Sequence, residues 1–255
     1  MPPARDRRLP FEGAVNFRDM GGYPAAGGHR TRWERLYRAD SLGDLTTADI
    51  IRLDALGLKT LVDFRLPQER LLKPNRLPQG TSIHSIEIPF VPDGTLEMLS
   101  LVRAGAIDSA EVERRVTAQY RKFGIQHAAE YRRVFEAAAD AGSYPLLLHC
   151  TSGKDRTGFG AALLLLAVGV ARATVLEDYA LTNHYRRPVP QFFGPRTSAE
   201  VMHTLLSAHP KYLEAALEEI DRVHGSLEAY LERELGVAET VRARLTELLT
   251  EPAEA

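Results

Sequence analysis

An α/β fold, with a small, mostly parallel central sheet flanked by many helices, is predicted by three observations. Short runs of strand type occur at residues 58–64 and 145–148, stretches of helical period separate and follow them, and no linker of Gly/Ser or Pro type is long enough to divide the chain. A single domain over residues 1–255 is expected, since a chain of 255 residues with 44% apolar content can bury one sizeable core. The elements follow in order. Thr46 and Thr47 precede apolar residues at Ile50, Leu53 and Leu56, and Gly57 follows, which reads as a capped helix with a glycine stop. Leu58 to Phe64 reads as a buried strand, and Ser82 to Ile88 alternates like a second one. Val112, Val116, Tyr120 and Phe123 share one helical face, and Tyr131, Val134 and Phe135 continue it after a break near Gly124. Pro145 to Leu148 is strand-like, and Thr157 to Gly169 is apolar almost all round and of helical length. Thr174 to Asn183 reads as a helix, Arg186 to Ser198 as a Pro-rich loop carrying Phe192 and Phe193, and the remainder to Leu249 as helical.

Composition narrows the function classes. Charges of both signs are interspersed for a net −2, so no nucleic-acid partner and no polybasic membrane anchor is expected. No stretch of about 18 apolar residues occurs, so no stable membrane insertion is expected either. The N-terminal MPPARDRRLPFEGAV lacks an apolar core, which predicts no ordinary export signal and leaves an unconventional route open. A single cysteine allows no internal disulfide and suits a reducing cytoplasm. His84, His127, His184 and His203 are scattered without ligand spacing, so no metal is expected.

That one cysteine sits in HCTSGKDRTG, residues 149–158, between the second strand-like run and the buried helix. In this setting the N–H groups of Thr151, Ser152, Gly153, Lys154, Asp155 and Arg156 can curl around an anion at the positive end of the helix. Cys150 at a helix N-terminus beside Arg156 is favoured as the thiolate, the form that attacks phosphorus. Arg156 offers a planar fork matching two phosphoryl oxygens. Thr157 can bring its hydroxyl near the sulfur, and His149 can orient the loop. A lone buried cysteine is usually an inert core residue, but the spacing of His149, Gly153, Arg156, Thr157 and Gly158 outweighs that reading. A nucleotide P-loop is a poor competitor, because Gly153-Lys154 lacks the earlier glycine and the Ser/Thr directly after lysine. Rhodanese-like sulfur transfer fits better but leaves the arginine and the following Thr-Gly unexplained. A silent phosphate-binding module would need no thiolate.

The loop resembles that of the cysteine-dependent protein tyrosine phosphatase superfamily. Further stretches are similar to the bacterial tyrosine/lipid phosphatases within it: NFRDMGGY (16–23), LYRADSL (36–42), VDFRLPQE (62–69), the cysteine loop and DYALTN (178–183), in the same order. The resemblance implies a cysteine phosphatase fold with a helical lid in some members. It implies hydrolysis of phosphotyrosine, with phosphoserine/threonine as further substrates, through a phosphocysteine intermediate and without a cofactor. Its implied partners are phosphorylated proteins or, as the alternative reading, phosphoinositides. For the second, Lys154 would be an extra cation for a ligand bearing several phosphates; otherwise it points to solvent or pairs with Asp155.

A general acid is needed to protonate the leaving oxygen. If residues 58–64 run parallel to residues 146–150, Asp63 and Arg65 emerge on the rim that holds the loop. Asp93, in Pro92-Asp93-Gly94, has the look of a mobile turn; the family resemblance favours Asp63 and Asp155, with the choice between them open. Phe192, Phe193 and the segments near 95–123 and 199–223 either cover the site or complete the core, and helical period favours the core. Asn16, Arg18, Asp19, Arg38, Asp40 and Asn183 match family landmarks and serve to fix turns or to touch substrate.

Overall fold

A computed structural model describes residues 6–185 and 196–253. The expected loop residues Phe192 and Phe193 lie outside the described residues. The central sheet has five strands in the order β1(Arg18–Asp19), β4(Leu36–Ala39), β7(Leu146–His149), β5(Thr60–Asp63), β6(His84–Glu87). β4, β7, β5 and β6 are mutually parallel, and β1 is an antiparallel edge. The expected parallel pairing is therefore present, with Val62 beside Leu148 and Asp63 beside His149. A second sheet, β2(Pro24–Ala25), β3(His29–Thr31) and β8(Thr250–Pro252), is antiparallel and ties the C-terminal segment to the N-terminal one. No apolar run announces these short strands.

Side chains alternate along the central strands and divide the core in two. Leu61 and Leu147 point to a layer with Phe11, Phe17, Tyr37, Leu53 and Leu58. That layer is covered by α1(Thr47–Ala55), which is capped at its N-terminus, as the sequence predicts; the cap is a reciprocal box between Thr46 and Asp49. Val62, Leu146 and Leu148 point the other way, into a larger core with Phe64, Phe123, Tyr131 and Phe159. There lie α4(Ser109–Gln126), α5(Ala128–Ala139), α6(Arg156–Ala167), α7(Arg172–Leu181) and α9(Pro210–His224). α6 is buried along nearly its whole length, as an all-round apolar helix must be.

The expected break near Gly124 is displaced. α4 runs on through Gln126, and the chain turns at His127 before α5. Gly124 serves packing instead: a Cβ there would stand 2.7 Å from the Ile220 side chain of α9. The amphipathic stretch near residue 95 is a separate helix, α3(Thr95–Ala104), ended by Gly105. After the undescribed segment come α8(Ala199–Leu206), α9, α10(Leu227–Arg233) and α11(Glu239–Leu249), in agreement with the helical reading. No helix among the described residues is long and apolar enough to cross a membrane.

Candidate active site

β7 ends at His149, and the chain then turns through residues 150–155 into α6, so Cys150 lies at the carboxyl edge of the parallel sheet, below the first turn of a buried helix. Cys150 is 1% exposed, and the Gly153 N–H donates to its sulfur at 3.2 Å. That bond requires the loop to fold back sharply, which Gly153 permits with φ +68°. Two carbonyls on the outer side of the loop are held, one from the segment just before β1 and one from β4. Asn16 Nδ2 donates to Ser152 O at 3.0 Å, and Arg38 Nη2 donates to Gly153 O at 2.7 Å.

Arg156 opens α6, and its guanidinium is fixed by a residue that the loop motif does not contain. Nη1 and Nη2 bond the two oxygens of Glu69 at 2.8 and 2.9 Å, and Nη1 also donates to Phe64 O at 2.9 Å. Glu69 belongs to α2(Pro67–Leu72), which follows β5 and so starts at the same rim. The Thr151 hydroxyl donates to Glu69 as well. Burial pushes Glu69 up, but the hydrogen bonds and charge of Arg156 outweigh it and bring its pKa down to about 2.

Asp63 sits beside His149 as the register requires, yet its carboxylate is committed. It is 2% exposed and accepts from Arg65 Nη2 at 2.8 Å, from the Arg65 backbone N–H at 2.9 Å and from Asn75 Nδ2 at 3.2 Å. His149 Nε2 stands 3.3 Å away. Despite burial, the bonds from His149 and Arg65 hold Asp63 well below the usual carboxylate range. Burial in turn holds His149 below its ordinary value, against the opposing pull of Asp63. Arg65 also reaches Lys73 O and Asn75 Oδ1, and thereby ties the end of β5 to the loop after α2.

Asp155 is placed differently. Its side chain is 37% exposed, and Oδ1 accepts from the Tyr120 hydroxyl at 2.7 Å and lies 3.3 Å from Lys154 Nζ. Lys154 is buried and donates to Leu205 O of α8 at 2.6 Å. Of the readings open for Lys154, pairing with Asp155 is the one observed, and solvent exposure is not. Asp93 is exposed in its turn and accepts from Gln126. Thr157 is fully buried, and its hydroxyl has no hydrogen-bond partner among the described residues.

Behind the loop lies a buried ionic cluster. Asp178 of α7 accepts from Arg18 Nε at 3.0 Å, Arg38 Nη1 at 2.7 Å and the Tyr23 hydroxyl at 2.9 Å. Burial raises Asp178, but the two arginines prevail and bring it to about 2. Gly158 lets this cluster close on α6, because a Cβ there would stand 3.0 Å from Arg38 Nη2. Asn16, Arg18 and Arg38 thus support the loop from behind. Asn183 instead bonds both backbone groups of Ala208, and Asp19 caps the turn at Gly21.

Residues 9–251 match the tyrosine phosphatase family. The chain belongs to it. Among curated relatives, this family member is 36% identical over 235 residues to a protein of Cupriavidus necator that carries a tyrosine-protein phosphatase name, covering 90% of this chain and 84% of that protein. It is 29% identical over 278 residues to the triple specificity protein phosphatase PtpB of Mycobacterium tuberculosis, covering 95% of this chain and 98% of PtpB. The chain is a cysteine-dependent phosphatase. Glu69 and Tyr120 were not singled out from the sequence of this phosphatase. Glu69 stands in the VDFRLPQE stretch, where its place in the first turn after Pro67 was the available signal; nothing local marks Tyr120.

Proposed function

We propose that this phosphatase hydrolyses phosphotyrosine in proteins, and phosphoserine/threonine as well, as one domain over residues 1–255 in a reducing cytoplasm. The Cys150 thiolate attacks phosphorus in line while Arg156 and the amides of residues 151–156 bind the equatorial oxygens. As the bond from phosphorus to the leaving oxygen breaks, Asp155 gives that oxygen its proton. Water then attacks the phosphocysteine, the Asp155 carboxylate takes a proton from it, and thiolate leaves, its departure eased by the Thr157 hydroxyl, which has no other partner among the described residues.

The observation that carries the assignment of roles is the contrast between two aspartates. Asp155 lies in the loop itself with a partly exposed carboxylate, whereas Asp63 is buried and held ionised by Arg65. An acid must be protonated and must reach the leaving group, so Asp155 is the donor. Asp63 with Arg65 and His149 then sets the strand end from which the loop departs.

The position of Lys154 supports single-phosphate esters over phosphoinositides. Its ammonium is taken by Leu205 O and Asp155, so it does not present a free charge for a second phosphate. A matched panel of phosphotyrosine, phosphoserine and phosphothreonine peptides and phosphoinositides tests the reading by relative kcat/KM. Peptide turnover abolished by Cys150→Ser is the expected result. A phosphoinositide preference that Lys154→Ala selectively removes would overturn the substrate assignment.

A further inference from the structure

Asp155 occupies the position before the first residue of α6, where an aspartate usually caps the helix through its own carboxylate, yet it makes no capping bond. The carboxylate is drawn away instead. Its Oδ1 accepts from the Tyr120 hydroxyl at 2.7 Å, and Tyr120 in turn meets the Tyr179 hydroxyl at 2.6 Å. Both tyrosines are essentially inaccessible to solvent, on α4 and α7 respectively. Tyr120 has one proton, which goes to Asp155, so the proton of Tyr179 must go to the oxygen of Tyr120. Burial, followed by the charge of Asp155, holds both phenols well above their ordinary range and keeps them donors at working pH.

Resting on the assignment of Asp155 as the acid, we infer that Tyr120, backed by Tyr179, is a positioning residue for proton transfer. It fixes Oδ1 and leaves Oδ2 as the proton-carrying atom. In the first step the Oδ2–H bond breaks, the leaving oxygen gains that proton, the bond from phosphorus to that oxygen breaks and the S–P bond forms. Negative charge then appears on Asp155, and a chain of two buried, pre-aligned hydroxyls stabilises it from the Oδ1 side. The other groups around Asp155 are Lys154 and Arg156 of its own loop, Tyr131 of α5 and Tyr212 of α9. Of these, Lys154 meets the same oxygen, and Tyr131 is engaged with Arg156 O at 3.0 Å. Oδ2 has no protein hydrogen bond among the described residues, as an atom that serves the substrate requires.

A leaving-group comparison tests this. Tyr120→Phe keeps the ring and its packing and removes only the hydroxyl; Tyr179→Phe does the same one step back. With phenyl phosphate, whose leaving group needs a proton, kcat of Tyr120→Phe is expected to fall about tenfold further than with p-nitrophenyl phosphate, with KM little changed for both. Tyr179→Phe should show the same bias, smaller. In an Asp155→Asn background the bias of Tyr120→Phe should vanish. Equal loss on both substrates from both tyrosine variants, with Asp155→Asn still selective for the poor leaving group, would overturn the positioning role and leave the acid in place. An Asp155→Asn enzyme with no leaving-group selectivity would overturn the acid assignment itself. If Tyr120→Phe fails to fold, the bias of Tyr179→Phe decides.

Discussion

Both terminal nitrogens of Arg156 lie on the carboxylate of Glu69, at 2.8 and 2.9 Å, in a two-point pair that fixes the plane of the guanidinium. An arginine that must follow phosphoryl oxygens through a reaction gains from being held before substrate arrives, because orientation lost to rotation must otherwise be recovered in the transition state. Glu69→Gln keeps the shape and weakens the pair. Its kcat/KM for an aryl phosphate is expected to fall about 10–100-fold, with weaker inhibition by inorganic phosphate. Unchanged kinetics would remove Glu69 from the machinery.

The same pair predicts a pH dependence of stability. Glu69 titrates at about 2 in the folded protein against an ordinary value of 4.5, and Asp178 at about 2 against 3.8. The folded state therefore binds fewer protons than the unfolded chain in this range. The stabilisation is fully present above about pH 4.5 and is lost as pH falls toward 2. Denaturant unfolding at a series of pH values should show stability declining through that window, with a shallower decline in Glu69→Gln. An identical slope in the variant would count against the pairing.

The parallel sheet, the buried α6 and the cysteine loop were legible because each rests on local pattern: apolar runs, all-round apolarity and a fixed spacing. Asp63 illustrates the limit. Its place on the rim follows from parallel strands, but its bond to Arg65, two residues on, and its contact with His149 decide that it stays buried and ionised, and those depend on side-chain direction. Lys154 is similar, since its partner Leu205 is 51 residues away. Glu69 and Tyr120 were hidden for the same reason, as both act across elements distant in sequence. The strands β2, β3 and β8 are too short to carry a period at all.

Gly153 is expected to tolerate no side chain. Its φ of +68° disfavours any L-residue, and a Cβ would stand 2.5 Å from Ala39 O and 2.7 Å from Asn16 Nδ2. Neither neighbour can yield freely, since Asn16 also holds Ser152 O. Gly153→Ala should cost about 1–3 kcal/mol of stability and reduce kcat by more than tenfold. Thermal unfolding alongside aryl phosphate kinetics checks both, and a fully active variant would show that the loop accepts another path.

Asp178 lies between two buried guanidinium groups, and removing its charge leaves Arg18 and Arg38 facing each other without a counterion. Asp178→Asn should destabilise the fold by about 3–5 kcal/mol, the range expected when one partner of a buried ionic group is lost. Arg38→Met leaves Arg18 and Asp178 paired, so its stability cost should be smaller. It also cuts the bond to Gly153 O, and its loss in phosphate affinity should therefore exceed that of a variant matched to it in stability. Denaturant unfolding and inhibition by inorganic phosphate, measured on both variants, separate the two effects. Should Arg38→Met bind phosphate as the wild type does, the tether from β4 would be structural only, and the loop would hold its amides in place without it.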